Sequence, residues 1–167
     1  FCTEALATLV QHSLGQLRNH FSQRATEQQT LLEPLKALVR REPVYCTAEA
    51  TVREALERMS EEGVRMIAVV DSLRRPLGIF TLLDLMDRVV LPGVSLATAV
   101  QQVMTTRPAM LDELSSAQEG LALMASRGFH QLLVVRAGEL AGIVTERDLF
   151  GLQRVTMRSI TQSVRQA

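Results

Sequence analysis

Residues 142–149 read GIVTERDL, and residues 78–85 read GIFTLLDL. Each stretch is a glycine and two apolar residues followed by threonine, with aspartate three positions further on. A hydroxyl and a carboxylate at that spacing have two physical uses. Thr145 with Asp148, and Thr81 with Asp84, can close a capping box at a helix start. The same oxygens can instead meet a ligand at a strand-to-helix junction.

The doubled motif closes a doubled unit. Shifting the chain by 65 residues lays EPVYCTAEATVREALERMSEEGVRMIAVV, from Glu42, over RPAMLDELSSAQEGLALMASRGFHQLLVV, from Arg107. Pro43 meets Pro108, Glu54 meets Glu119, Met59 meets Met124 and Gly63 meets Gly128. One residue fewer in the next turn makes the offset 64 and brings Thr81 onto Thr145 and Asp84 onto Asp148.

Periodicity predicts strand, helix, strand, strand, helix in each unit. The first strands are Val44 to Cys46 and Ala109 to Leu111. Helices start near Thr51 and Ser116, with Val52, Ala55, Leu56 and Met59 on one stripe. Gly63 and Gly128 stand where a helix end wants a left-handed residue. Strands MIAVV and LLVV follow, then turns around Arg74 to Pro76 and Ala137 to Gly138, then LGIF and AGIV, and a helix from each threonine. The fold class is α/β (α+β). Neither half can bury its own sheet, so two β-α-β-β-α repeats should pack sheet to sheet about a pseudo-twofold axis. The division is a helical segment 1–33, a first repeat 34–91, a connection and second repeat 92–155, and a helical tail 156–167. Leu6, Val10, Leu14, Leu17 and Phe21 give the first segment an amphipathic helix, and a start at Phe1 within it implies a chain cut from a longer polypeptide.

Bulk properties exclude several functions. Lysine plus arginine and aspartate plus glutamate each number 18, so no global field draws in nucleic acid or a membrane surface. No apolar run approaches the twenty residues needed to span a bilayer. Cys2 and Cys46 lack metal-site spacing, and a reduced, cytoplasmic setting is expected. No nucleophile motif, P-loop or paired metal ligands mark an enzyme. The acids of DLMD, Asp84 to Asp87, make a poor metal site.

With proline before the first strand, glycine before an apolar second strand, and G-h-h-T-x-x-D closing the third, twice over, residues 36 to 152 resemble a pair of CBS domains, or Bateman module. The resemblance implies a non-catalytic regulatory module without a cofactor, binding AMP, ADP, ATP or S-adenosylmethionine in two clefts between the repeats. Carried over by position, one cleft joins Thr145 and Asp148 to Val44, Val64, Arg65 and Met66, with Arg147 placed either to hold an extra phosphate or to block it. The other joins Thr81 and Asp84 to Ala109, Phe129, His130 and Gln131. A carboxylate can accept both ribose hydroxyls, and Arg65 and His130 hold equivalent positions from which a cation can reach phosphate.

Two departures stand out. Many family members carry proline at the positions of Ala68 and Leu133, so the strand edges here should pair differently. Leu83 in one copy answers to Arg147 in the other, so the clefts should differ. The resemblance further implies a homodimer acting on attached effector domains. A narrower likeness, in RVVLPGVSLATAVQQVMTTRP and LFGLQRVTMRSI, is to bacterial signal-transduction proteins in which a cyclic-nucleotide-binding domain precedes the pair and a nucleotidyltransferase-like domain follows. The competing expectation is a ligand-free dimerisation spacer in which both T-x-x-D pairs are only caps.

Overall fold

Capping chemistry sets where the helices begin. The computed structural model of the chain describes residues 31–149 together with 11, 14 and 15. Its helices are α1 (Val52–Glu61), α2 (Leu82–Asp84, running on as a π-helical stretch Leu85–Val90) and α3 (Ala117–Arg127). Thr51 accepts from the Glu54 amide at 3.2 Å while Glu54 accepts from the Thr51 amide at 2.8 Å, and Ser116 with Glu119 repeats the box ahead of α3. Gly63 and Gly128, at φ 63° and 66°, take the left-handed conformation expected past each helix. The segment 146–149 is again helical, after Thr145. Of the expected N-terminal helix, Leu14 is helical and exposed; Leu6, Val10, Leu17 and Phe21, and the tail from residue 150, lie outside the described residues.

Among the described residues, seven strands form two mixed sheets. The first half contributes β1 (Tyr45–Thr47), β2 (Met66–Val70) and β3 (Pro76–Thr81), in the order β1-β2-β3-β4 with β4 (Thr105–Thr106) at the edge. The second contributes β5 (Met110–Asp112), β6 (Gln131–Arg136) and β7 (Glu139–Thr145), in that order. In each, the first pair is parallel and the second antiparallel, with a register shift at the same place, Val69/Val70 and Val134/Val135.

All five residues of β2 are buried, because both faces of its sheet are covered. Ile67 and Val69 face a helix-side core with Val52, Ala55, Met59 and Phe80. Met66, Ala68 and Val70 face the other way, onto Leu133 and Leu140, so the two sheets pack face to face as expected. The second helix-side core holds Ala117, Met124, Leu132, Val134 and Val144.

The segments that lead into the aligned stretches at Glu42 and Arg107 are exchanged between the halves. The 3-10 turn Leu35–Ala37 precedes the first half, yet Leu35 and Leu38 fill the second helix-side core. The turn Val100–Gln102 precedes the second half, yet Val100 and Val103 fill the first. The backbone bonds match at the offset of 65: Leu35 N–H to Ser115 O at 2.8 Å answers Val100 N–H to Ala50 O at 2.7 Å, and Ala117 N–H to Glu33 O answers Val52 N–H to Thr98 O. Pro34 and Ala99 bridge the N-caps Ser116 and Thr51 in the same reciprocal way.

Both exchanged segments cross a glycine closely. A Cβ on Gly142 would meet the methyls of Val39, and one on Gly78 would stand 2.6 Å from both the Met104 sulfur and the Thr105 carbonyl oxygen. Gly142→Ala and Gly78→Ala are each expected to destabilise by about 1–3 kcal/mol, the usual range for overpacking. In double-mutant cycles followed by urea titration, Val39→Ala should recover at least about 0.5 kcal/mol of the first loss. Met104→Ala should recover less of the second, because the Thr105 carbonyl stays in place.

Candidate functional site

Each T-x-x-D pair sits where an antiparallel strand turns into a helix, and both capping interactions are formed. Asp84 Oδ2 accepts from the Thr81 amide at 2.9 Å and from the Thr81 hydroxyl at 2.8 Å, while the Asp84 amide donates to Thr81 Oγ1 at 3.2 Å. Thr145 and Asp148 reproduce these bonds at 2.8, 2.8 and 3.3 Å. Asp84 has further partners. Its Oδ1 accepts from the Thr105 hydroxyl on β4 at 2.8 Å and lies 3.5 Å from Arg88 Nε. Arg88 in turn donates to the Met104 carbonyl at 2.7 Å, tying the π-helical turn to the exchanged segment. With these contacts a charged side chain only 7% exposed is accommodated.

In front of Thr81 a crevice of about 400 Å³ opens between the halves. Thr81, Leu82 and Leu83 line it from the first half, and Ala109, Phe129, His130 and Gln131 from the second. Of the residues grouped with Thr81 on sequence, only Asp84 does not line the crevice; it is hydrogen-bonded to the Thr81 that does. Sequence reading missed Thr105, Pro108 and the apolar pair Leu82–Leu83; the last had a signal, since both directly follow the threonine.

Arg65, grouped on sequence with Thr145, lines the Thr81 crevice. Met66 pairs with Thr81 across the β2–β3 ladder and the Arg65 carbonyl accepts from the Leu82 amide, so the ladder holds Arg65 beside its own repeat's threonine. His130, at the equivalent position, pairs through Nδ1 with Glu146 Oε2 at 2.9 Å. The other residues grouped with Thr145 lie elsewhere: Val44 in the first helix-side core, Val64 against it, and Met66 between the sheets. Thr145, Arg147 and Asp148 do not line this crevice.

The absent prolines have a visible consequence. The Ala68 amide donates to the Val44 carbonyl at 3.1 Å and the Leu133 amide to the Ala109 carbonyl at 2.8 Å. Proline has no N–H and would remove both bonds. Here they tie the residues ahead of β1 and β5 to the neighbouring strand. Burial pushes the Cys46 thiol up to about 11, so it stays protonated at neutral pH. No helix among the described residues is long and apolar enough to cross a membrane.

The CBS domain family model matches residues 35–91 and 100–154, beginning at the two exchanged turns. The chain belongs to the CBS domain family. Among curated relatives it is 34% identical over 116 residues to the uncharacterized protein YlbB of Bacillus subtilis, covering 69% of this chain and 78% of that one. An uncharacterized 33.4 kDa protein of Thermofilum pendens is 33% identical over 108 residues, and the match spans 65% of this chain but only 35% of that protein. Among solved structures, the CBS domain protein PAE2072 of Pyrobaculum aerophilum, complexed with AMP, superposes with a TM-score of 0.65 at 21% identity, covering 70% of this chain and 89% of that one.

The contacts of the two CBS aspartates predict unequal stability losses. Asp148→Ala should cost about 1 kcal/mol, an ordinary cap loss. Asp84→Ala should cost about 1–3 kcal/mol, because the Thr105 hydroxyl also loses its partner. Urea midpoints check this. In the Asp84→Ala background Thr105→Val should add little, whereas full additivity would show that the Thr105 bond contributes nothing.

Proposed function

We propose that the chain is a regulatory module that takes an adenosine-bearing ligand, AMP, ADP, ATP or S-adenosylmethionine, in the crevice beside Thr81. The observation that carries this is the chemistry of the walls. Phe129, Ala109, Leu82 and Leu83 offer apolar faces to a purine, while Arg65 and the Thr81 hydroxyl offer polar contacts at the same opening. Asp84 stands directly behind Thr81, and a ribose diol that displaced the threonine hydroxyl would receive a charge-assisted bond of about 1.5–3 kcal/mol. The AMP complex of the archaeal relative supports the ligand class.

A nucleotide here touches both repeats, so its binding energy acts on their mutual geometry. A differential of about 1–3 kcal/mol is enough to bias an attached effector domain. The exposed face of α2, with Leu82, Leu83, Met86 and Val90, is the surface we assign to a second copy of the chain.

One observation favours a second reading, a ligand-free dimerisation or spacer module. Both caps are closed, and Asp84 has a partner on each oxygen.

Calorimetric titration with AMP, ADP, ATP and S-adenosylmethionine separates the readings. Saturable binding of at least one is expected, weakened about tenfold or more by Phe129→Ala through the lost stacking. Arg65→Gln should weaken only the phosphate-bearing ligands. No heat and no thermal shift with any of the four would leave the spacer reading.

A further inference from the structure

Overlaying the halves reveals a difference that the Thr81 crevice does not use. Where β6 ends and β7 begins, a groove of about 430 Å³ lies between residues 36–42 and the second sheet. Lys36, Arg40 and Arg41 line it from the segment and Arg136 from β6. At the repeat offset the first half has Gln101, Thr105, Thr106 and Asp71 in their places, and Leu77 where the groove has the smaller Ala141. One copy therefore gathers four cations where the other has three neutral residues and an acid. The backbone differs too. Thr105–Thr106 closes its sheet by pairing with β3, whereas the second sheet is β5-β6-β7 and Arg40 and Arg41 line the groove beside it.

The walls are held in place. The Lys36 amide donates to the Glu113 carbonyl at 3.0 Å, and Val39 packs on Gly142. Arg136 grips Glu113 with two bonds, Nε to Oε1 and Nη2 to Oε2, each 2.8 Å, and holds that carboxyl below its ordinary range. With Glu113 so engaged, Glu42 is the one other acid on a lining that also holds Lys36, Arg40 and Arg41. None of those three is ion-paired with a described residue. A concave site with surplus charge of one sign focuses its field, and guanidinium forks match phosphate oxygens in pairs.

We propose that this groove is a second binding site, for a small molecule carrying two or more phosphate charges, held by Lys36, Arg40 and Arg41. Its volume suits a compact anion.

Inorganic pyrophosphate, titrated into the full chain at fixed ionic strength and followed by calorimetry and phosphorus NMR, tests the proposal. Saturable binding is expected, weakened at least about tenfold in the Arg40→Gln, Arg41→Gln double variant, since two charge-assisted contacts are removed. It should be unchanged in Arg53→Gln, an exposed arginine on α1. Thermal melts of the double variant establish that it is folded. No saturable binding, equal affinity in the double variant, or a loss in Arg65→Gln in its place would overturn the assignment. Stronger binding of a poly-glutamate peptide than of pyrophosphate would overturn the small-phosphate class.

Discussion

Neither half of this chain completes its own core. Leu35 and Leu38, ahead of the first repeat, fill the space beneath α3, and Val100 and Val103, ahead of the second, fill the space beneath α1. Burying each such side chain contributes about 1.5–3 kcal/mol, on the order of a quarter of a typical domain's net stability. The exchange therefore helps fix how the halves sit, alongside the sheet-to-sheet layer of Met66, Ala68, Val70, Leu133 and Leu140. The Thr81 crevice exists because that relation is fixed, since its two walls come from different halves.

Much of the fold was legible because it depends on local chemistry written twice. Capping residues at Thr51 and Ser116, glycines at 63 and 128, and apolar strands of matching length carry their meaning within a few residues. The exchanged turns were not legible in that way. Leu35 aligns with Val100 at the right offset, but PLKALVR and AVQQVMT share almost no identical residues, and nothing local says that a turn belongs to the other half. The short β4 strand was missed for the same reason, its pairing with β3 being set by where the exchanged segment lands.

The candidate site divides along the same line. Thr81, Ala109, Phe129, His130 and Gln131, grouped by position, line one crevice. Arg65, grouped with Thr145, lines that crevice too, because its neighbours follow from the β2–β3 register, which pairs Met66 with Thr81. The aspartates show why a motif alone leaves two meanings open: the same oxygen that caps a helix is the one a sugar would need. The basic groove was invisible in sequence since Arg136 lies almost a hundred positions from Lys36, Arg40 and Arg41, and the balanced overall charge conceals a local surplus.

The reciprocal exchange also has an ancestral reading. A single repeat folding alone would leave its core short of the two side chains that its partner's leading turn supplies, so the natural unit is a pair that trades arms, as in a domain-swapped dimer. Joining two copies by the short stretch 91–99 turns that encounter between molecules into one within a molecule, at an effective concentration on the order of millimolar. Once tethered, the two copies no longer had to be identical, and the Arg40–Arg41 side was free to diverge from Thr105–Thr106 without breaking the trade.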